Sequence, residues 1–515
     1  MHADEEIEDL RLREAPLQMQ QDEFRRLGHQ LVEVVADFLA SLPERPVTPG
    51  EPTQVIRAEL GGGGLPLEGT APEQILEESS RLLFEHSLFN GHPRFWGYIS
   101  ASPAPIGILG EFLAAAVNQN VTFASVAPMA TEIEAQTVRW IAELIGYPTD
   151  CGGVLVSGGT MANFVGFLAA RRAKIPWDVR AGGLAKGGTQ QVRVYVSSQT
   201  HTWIQKAADA FGLGTEAIRW ISADEKLQMD LAALRAQIRA DLEQGDLPLL
   251  VVGTAGSVGF GVVDPLPEMA ALCREYGLWF HVDGAYGAYA AALLGGAMGE
   301  LVPADLKGIA AADSVAVDPH KWLYAPLEAG CALVRSPQML LEAFSYRPAY
   351  YSPSEQQKET PINYYEHGLQ NSRGFRALKV WMGLRHVGRA GYIQMISQDI
   401  RLSREMYRQI EAHPELEAIT QHLSITTFRY VPLDLPIRKE LTETYLNQLN
   451  TALLDALQKG GEAFVSNAVL GNKFVLRACI VNFKTSLADI ERLPGIVVQL
   501  GRELDASRRP EALRS

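Results

Sequence analysis

The chain has 515 residues, of which 47% are hydrophobic and 21% are charged, and these proportions exclude the disordered and fibrous classes of protein. Its 46 basic and 60 acidic residues give a formal net charge of -14, so we expect no nucleic-acid partner. At about 100 to 200 residues per domain, this length predicts two or three domains.

The first ten residues are acidic, where a secretory or mitochondrial signal would be basic. No apolar run reaches the roughly 18 residues that a membrane span needs, so we expect a cytoplasmic protein without a membrane partner. The four cysteines form no C-x-x-C pair and are expected to be reduced core residues. The histidines show no H-x-x-x-H or H-E-x-x-H spacing with supporting carboxylates, so no metal site is expected.

The amino-terminal part is predicted to be helical. Apolar residues recur at three- and four-residue steps between residues 19 and 42, which is typical of an amphipathic helix. A connection rich in proline and glycine follows at residues 43–72, and a helical pattern resumes at residues 72–89.

From about residue 151, short apolar runs alternate with helical stretches, and this alternation predicts a mostly parallel sheet covered by helices. The predicted strands are residues 154–157, 192–198, 249–254, 278–283, 314–317 and 331–335. The predicted helices between them are residues 161–172, 202–211, 230–243 and 265–276. After about residue 381, a long helix and two strand-like segments, 423–430 and 473–482, predict a smaller α+β domain.

Ligands of such sheets bind beyond the carboxyl ends of the strands, so the residues at these ends are candidates for a site. The first strand runs into Gly158, Gly159 and Thr160 before a helix, and this turn offers backbone N–H groups and a hydroxyl to a phosphate. His201 follows the second strand. Taken alone, a plain tight turn and a structural histidine are the commoner interpretations.

Asp283 and Lys321 stand at the ends of two further strands. A buried carboxylate needs a partner such as a protonated ring nitrogen, and a buried ammonium is costly unless it is paired or converted into an imine. A helix-capping aspartate and a lysine with a solvated head are the ordinary alternatives. Together with the glycine turn, His201 and the small residue Ala285, however, these groups match the parts of pyridoxal phosphate (PLP).

The sequence resembles the PLP-dependent group II amino-acid decarboxylases of the aromatic-L-amino-acid and glutamate decarboxylase superfamily. The resemblance extends over most of the chain. Its motifs are Gly-His-Pro-Arg-Phe at 91–95, Ala-Pro-Met-Ala-Thr-Glu-Ile-Glu at 127–134, His-Val-Asp-Gly-Ala at 281–285, Asp-Pro-His-Lys-Trp at 318–322 and Phe-Val-Leu-Arg at 474–477.

By that resemblance the fold is expected to be α/β, of PLP-dependent fold type I (aspartate-aminotransferase-like), in a homodimer with shared active sites. The resemblance implies an amino-terminal helical segment that packs on the dimer partner (residues 1–104). A large PLP-binding domain (105–380) and a small carboxy-terminal α+β domain (381–515) would follow.

The resemblance also implies a role for each residue of the site. Lys321 would bind the aldehyde of the cofactor, Asp283 would hold its ring nitrogen, and His201 would stack on the ring. Ala285 would pack on the opposite face. The phosphate would be bound by the other cofactor-binding residues, which are Gly158, Gly159, Thr160 and His320.

In the family, a loop tyrosine protonates the substrate carbon after CO2 leaves, and Tyr350 is the best match. Tyr346 or Tyr351 would take this role if the register of the loop differs. With His201 retained, Tyr350 favours simple decarboxylation. Asp318 stands where many relatives carry asparagine, and its role is open.

The residues that the resemblance assigns to the substrate pocket are Tyr98, Ser100, Asn120, Thr122 and Arg477. Arg477 would face the substrate carboxylate or organise the site near it, and Asn120 and Thr122 make the pocket more polar than in the aromatic branch. An aromatic amino acid such as tyrosine, DOPA or tryptophan is the expected substrate, giving the amine and CO2. The alternatives are a decarboxylase of an acidic or other polar amino acid (glutamate, aspartate or diaminobutyrate), an oxygen-consuming aldehyde synthase and a non-catalytic binding relative.

Overall fold

The computed structural model describes residues 7–8, 10–11, 13, 15–346, 362–436 and 439–514. Its amino-terminal part contains helices α1 (Gln21–Ser41), α2 (Thr53–Leu60) and α3 (Pro72–His86). Helix α1 confirms the amphipathic helix predicted at residues 19–42. Leu27 is buried in it, whereas Phe24 and Val32 are exposed.

The strands of the central sheet are β1 (Gly152–Val156), β2 (Val192–Ser197), β3 (Ile218–Ile221), β4 (Leu247–Thr254), β5 (Trp279–Asp283), β6 (Ser314–Val317) and β7 (Gly330–Val334). Within the described chain their order is β1-β7-β6-β5-β4-β2-β3. Strand β7 is antiparallel to β1 and β6, and the other neighbours are parallel, which confirms the predicted sheet. The sequence pattern does not reveal β3, because this edge strand has only four residues and exposes Trp220.

Helices cover both faces of this sheet. Those that contact its strands are α5 (Pro128–Leu144), α6 (Gly159–Lys174), α8 (Trp203–Ala210), α9 (Leu231–Glu243), α10 (Leu266–Tyr276) and α11 (Pro337–Phe344), and the same part of the chain contains α4 (Pro105–Val117) and α7 (Val179–Gly182). Successive strand residues point to opposite faces, so Leu155 and Val251 belong to one hydrophobic cluster and Val154 and Val252 to another. The sheet is therefore buried on both sides, and its open positions are at the strand ends.

The carboxy-terminal part begins with the long helix α12 (Ala377–Ala412) and continues as a small α+β unit. Its elements are β8 (Leu416–His422), β9 (Ile425–Tyr430), α13 (Lys439–Gly460), β10 (Ser466–Leu470), β11 (Lys473–Cys479) and α14 (Leu487–Arg508). The four strands form an antiparallel sheet in the order β10-β11-β9-β8. Ser486 and Asp489 form a capping box that begins α14.

These elements confirm an α/β fold with a small α+β unit after it. The domain boundaries predicted between residues 104 and 105 and between 380 and 381 stay predictions. Of the helices described here, none is both long and apolar enough to cross a membrane.

Candidate active site

A cavity of about 200 Å³ lies beyond the carboxyl ends of the central strands. It brings together most of the residues that the sequence predicts to bind a cofactor, although they are far apart in the chain. Its lining residues are Gly159, Thr160, Asn163, His201, Thr254, Gly256, Val258, Asp283, Ala285, Tyr286, Asp318, His320 and Lys321.

Lys321 follows β6 in a tight turn and reaches into this cavity. Its Nζ lies 2.9 Å from Oδ2 of Asp318, so the ammonium is paired rather than solvated. Asp318 is buried, and its Oδ1 has no hydrogen-bond partner among the described residues.

Asp283 ends β5 and is 6% exposed. Its Oδ2 accepts a hydrogen bond from Nε1 of Trp203 at 2.8 Å, and its Oδ1 accepts one from the backbone N–H of Ala285 at 3.2 Å. Both donors are neutral, so this buried carboxylate has no cationic partner among the described residues, and it faces the cavity.

His201 lies between β2 and α8, where its ring lines the cavity. Its Nδ1 accepts a hydrogen bond from the backbone N–H of Trp203 at 3.2 Å. Burial lowers the pKa of His201, and the nearby ammonium of Lys321 lowers it further, against an opposing effect of Asp283. The imidazole is therefore neutral near pH 7, with its proton on Nε2.

The glycine turn before α6 leaves room for an anion. A Cβ at Gly159 would lie 2.8 Å from Oδ2 of Asp318 and 3.1 Å from Cβ of Ala285, so a side chain has no space there. Gly158 precedes the helix without lining the cavity, and Thr160 adds its hydroxyl in the first turn. The first backbone N–H groups of a helix have no intrahelical acceptor, so this turn can bind a phosphate.

His320 stands at the same end of the cavity. Its Nε2 is 3.7 Å from Oδ2 of Asp318, and its Nδ1 accepts a hydrogen bond from the backbone N–H of Ala329. Burial is the main cause that lowers the pKa of His320. Its Nε2–H is thus available as a neutral donor to an anion bound at the glycine turn.

Several lining residues were not among the predicted site residues. Thr254 ends β4, so the strand-end rule that identified Asp283 also applies to it. Asn163 lies inside α6 and shows no such signal. Its Oδ1 is 2.6 Å from Nε2 of His281, whose Nδ1 is 2.7 Å from Oγ of Ser314. Burial lowers the pKa of His281 to about 4, so this buried chain of hydrogen bonds contains a neutral imidazole.

The turn that carries Lys321 is attached to the carboxy-terminal part of the chain. Trp322 stacks on Tyr286 with ring centroids 4.8 Å apart. Nε1 of Trp322 and Oη of Tyr324 both donate to Oδ2 of Asp399 on α12, at 2.9 and 2.8 Å. Burial raises the pKa of Asp399 to about 7. Asp399 therefore anchors the turn that carries Lys321, through its hydrogen bonds with Trp322 and Tyr324.

Arg477 on β11 is 2% exposed and does not line the cavity. Its Nη1 donates to the backbone oxygen of Tyr98 at 3.0 Å and to Oγ of Ser466 at 2.9 Å. Its Nε and Nη2 have no partner in the described chain. Burial lowers the pKa of this guanidinium. A guanidinium with two unused donors has the geometry to bind a carboxylate, and the assignment of Arg477 to the substrate stays a prediction.

The other predicted substrate residues also lie outside the cavity lining of the single chain. Oδ1 of Asn120 accepts hydrogen bonds from Oγ1 of Thr122 at 2.6 Å and from the backbone N–H of Arg373 at 2.9 Å. Tyr98 is 57% exposed, and Ser100 is half-buried beside it. Their assignment to a substrate pocket stays a prediction.

The predicted loop acid Tyr350 and its alternative Tyr351 lie outside the described residues. Tyr346, the other alternative, is 63% exposed, and the guanidinium of Arg180 lies 4.2 Å from the centroid of its ring. No group of three or more His, Cys, Asp or Glu side chains that could hold a metal ion occurs within the described ranges.

Comparison with known proteins gives the same reaction class as the sequence motifs. Residues 64–431 match the family model described as "Pyridoxal-dependent decarboxylase conserved domain". The aromatic-L-amino-acid decarboxylase of Bacillus atrophaeus is 33% identical over 492 residues, which cover 95% of this chain and 98% of the relative. The phenylacetaldehyde synthase of a Rosa hybrid cultivar is 28% identical and is covered to 90%, with 89% of this chain.

A solved structure supports the fold. The crystal structure of Oryza sativa TDC with PLP and tryptamine superposes with a TM-score of 0.86, over 96% of this chain and 100% of the other. The two sequences are only 24% identical, so this likeness shows the fold alone.

Proposed function

The chain belongs to the pyridoxal-dependent decarboxylase family, and from that premise we propose that it converts an aromatic L-amino acid into the amine and CO2. The observation that carries the proposal is the position of Lys321 in one cavity with Asp283 and the glycine turn at Gly159. An amine, a buried carboxylate and an anion site in one cavity are the groups that this chemistry requires.

The residues of the cavity fit PLP, the cofactor of the family. The carboxylate of Asp283 lacks a cationic partner among the described residues and can pair with a protonated ring nitrogen. Gly159 and Thr160 offer helix N–H groups and a hydroxyl to the phosphate, with His320 as a further donor. When bound, PLP supplies an aldehyde that links to amines and a ring that withdraws electrons from the bond that breaks.

The protein side chains then have distinct tasks. Lys321 would hold the aldehyde and His201 would bind one face of the ring, with Ala285 against the other. Asp283 would orient the ring and keep positive charge at its nitrogen. Because the imidazole of His201 is neutral, it can lie against a cationic ring without repulsion.

Asp318 is paired with the amine of Lys321. Oδ2 of Asp318 lies 2.9 Å from Nζ, and the backbone of Gly159 packs closely against the same carboxylate oxygen. We propose that Asp318 positions the lysine amine in the cavity through this ion pair.

The substrate carboxylate is proposed to bind the unpartnered donors of Arg477. A guanidinium binds a carboxylate through two parallel hydrogen bonds, and Nε and Nη2 are the pair that such a contact would use. Relatives named for aromatic amino acids support an aromatic side chain, and the exposed ring of Tyr98 beside Arg477 can contribute to its binding.

An amino-acid panel tests this proposal. Purified holoenzyme is given L-tyrosine, L-tryptophan, L-DOPA or L-glutamate, and both CO2 and amine are measured. We expect at least a tenfold preference in kcat/KM for one aromatic amino acid over glutamate, and no turnover by Lys321→Ala. A preference for glutamate, or turnover by the alanine variant, would contradict the proposal.

Aldehyde synthesis is the second candidate, because a relative of similar coverage is named phenylacetaldehyde synthase. The two reactions differ in oxygen use. An oxygen electrode during turnover should register no consumption for a decarboxylase, and peroxide with ammonia would assign the second activity.

We also propose a homodimer with shared active sites. Helix α4 exposes about half of each of several apolar side chains on its surface, which are Leu109, Phe112, Leu113 and Val117. An exposed apolar patch of this kind is typical of an interface. Asn120 and Thr122 follow this helix and are proposed to reach the cavity of the partner subunit.

Light scattering on the eluting protein tests the dimer. Phe112→Glu should give a monomer with reduced activity, whereas Leu242→Glu, at a side chain that is 47% exposed on α9, should stay dimeric. A dimer of unchanged stability in the Phe112 variant would contradict this interface.

A cytoplasmic location is proposed from the four free, buried cysteines, since reducing compartments keep thiols unpaired.

A further inference from the structure

Trp203 is placed between the two groups that are proposed to contact the cofactor ring. It is the first residue of α8, is fully buried, and packs edge-on against His281 with ring centroids 5.7 Å apart. Its indole N–H donates to Oδ2 of Asp283 at 2.8 Å. Its backbone N–H donates to Nδ1 of His201 at 3.2 Å. Trp203 thus contacts both Asp283, which is proposed to meet the ring nitrogen, and His201, which is proposed to lie on the face of the ring.

We propose that Trp203 is a positioning residue whose indole and backbone N–H groups hold the carboxylate of Asp283 and the ring of His201 in place for the cofactor ring. The inference rests on the proposed function in one respect, since it requires that Asp283 faces the ring nitrogen. It adds a residue that neither the sequence motifs nor the cavity lining identify.

Trp203 acts on Asp283 through the charge of the carboxylate. A buried carboxylate that loses a hydrogen-bond donor becomes more basic, because burial disfavours its charge. When such a carboxylate is hydrogen-bonded to a ring nitrogen, its higher basicity moves the shared proton from the nitrogen to the carboxylate oxygen. The indole N–H of Trp203 therefore helps to leave that proton on the nitrogen, where it is needed to withdraw electrons.

Trp203 acts on His201 through the direction of a backbone hydrogen bond. Nδ1 can accept the backbone N–H of Trp203 only when it carries no proton, so this contact selects the neutral ring protonated at Nε2. The lowered pKa of His201 agrees with that state. The same contact fixes the direction of the ring plane, because the donor is part of the helix start.

Other charged groups face the same space and do not replace Trp203. Lys321 and Asp318, beyond the end of β6, form their own pair at 2.9 Å. Among the described residues, the side-chain hydrogen bond to Asp283 comes from Trp203, and the other donor is the backbone N–H of Ala285. Loss of the indole N–H would leave one donor for two carboxylate oxygens.

Trp203→Phe removes the indole N–H while it retains an aromatic ring and the backbone donor. Trp279→Phe is the matched control, because Trp279 is also buried, lies on β5 with Asp283, and donates at the same 2.8 Å distance to the neutral Oγ of Ser314. A second variant carries benzothienylalanine at position 203, which keeps the size of the indole but has no N–H.

The readout is the nitrogen-15 chemical shift of the ring nitrogen in holoenzyme loaded with labelled PLP, followed over pH. In Trp203→Phe we expect the ring nitrogen to lose its proton about one to two pH units below its value in the wild type, as for one lost hydrogen bond to a charged group. We expect kcat to fall about tenfold and KM to stay within about twofold. The benzothienylalanine variant should show the same titration and kinetics as Trp203→Phe. Trp279→Phe should match the wild type.

Equal titration in the wild type and both position-203 variants would overturn the inference, as would equal shifts in the Trp203 and Trp279 variants, which would indicate packing alone. Asp283→Asn separates this inference from the proposed function. If the asparagine variant changes the nitrogen shift and the Trp203 variants do not, only the role of Trp203 fails. If the asparagine variant also titrates like the wild type, Asp283 does not face the ring nitrogen and the assignment of the site fails with it.

Discussion

Arg477→Met is expected to lower activity strongly while it changes the stability of the fold little. Arg477 is 2% exposed, and its Nε and Nη2 have no partner in the described chain. Methionine has a similar length and no charge, so it can occupy the same space. The proposed substrate carboxylate would then lose two charge-assisted hydrogen bonds.

The expected loss of function follows from the strength of such bonds. A hydrogen bond to a charged group contributes about 1.5 to 3 kcal/mol, and two bonds to one carboxylate are not fully additive. We therefore expect kcat/KM to fall by about 2 to 4 kcal/mol in free energy, which is roughly 30- to 1,000-fold. Arg477→Lys keeps the charge but lacks the planar guanidinium, so its kcat/KM should lie between those of the wild type and of Arg477→Met.

The expected effect on folding is small. The variant relieves two buried donors without acceptors but leaves the backbone oxygen of Tyr98 and Oγ of Ser466 with one donor fewer. Each of these changes is about 1 to 3 kcal/mol, and they have opposite signs. Arg429→Met is the contrast, because Arg429 is 4% exposed and is paired with two carboxylates, Glu417 and Glu443. Its loss should lower the melting temperature clearly.

Steady-state kinetics with the preferred amino acid, PLP absorbance and thermal unfolding of the apoenzyme are the three measurements. A folded, PLP-loaded Arg477→Met enzyme with kcat/KM within about threefold of the wild type would refute the reasoning. A large loss of stability would refute the second half of it, since the unpartnered donors would then be paired in solution.

Three further predictions follow from the site. Gly159→Ala should weaken PLP binding at least about tenfold in an absorbance titration, because its Cβ would lie 2.8 Å from Oδ2 of Asp318; unchanged affinity would contradict the phosphate assignment. Activity should fall as pH drops through the lowered pKa of His201, because protonated Nδ1 can no longer accept the N–H of Trp203, and a His201→Gln enzyme should lack this limb of its pH profile. Asp399 has a pKa raised to about 7, so its contribution to stability is full below its unfolded pKa and is lost as pH rises through 7, by about 4 kcal/mol. Asp399→Asn should remove this pH dependence from the melting temperature, and parallel curves for variant and wild type would count against it.

The sequence predicts the central sheet well, because each of its core strands is a short apolar run with a clear end. Asp283 was found by that rule, and Thr254 at the end of β4 satisfies it equally. Strand β3 escapes the rule, since an edge strand needs apolar residues on fewer positions. The site residues that stand at strand ends are therefore within reach of sequence reasoning.

Residues placed by contacts between distant segments are not predictable in this way. Nothing near Trp203 in the sequence indicates that its indole N–H reaches Asp283, 80 residues further along the chain. The same holds for Asp399, which receives the hydrogen bonds of Trp322 and Tyr324 from more than 70 residues away. Their partners are determined by how helices pack on the sheet, and a local pattern carries no information about that packing.

This difference has a chemical consequence for the enzyme. The groups identified by motif, Lys321 and Asp283, are those that would touch the cofactor, and their residue types follow from its chemistry. The groups found only in the structure contact this set or its neighbours: Trp203 donates to Asp283, and Asp399 accepts hydrogen bonds from Trp322 and Tyr324, which follow Lys321 in the same turn. A relative with the same motif but different residues at positions 203 and 399 would have the same reaction available with a different ring-nitrogen basicity and a less rigid lysine turn. We expect the rate of CO2 release in such a relative to depend on whether the ring nitrogen keeps its proton, since the motif residues would be the same.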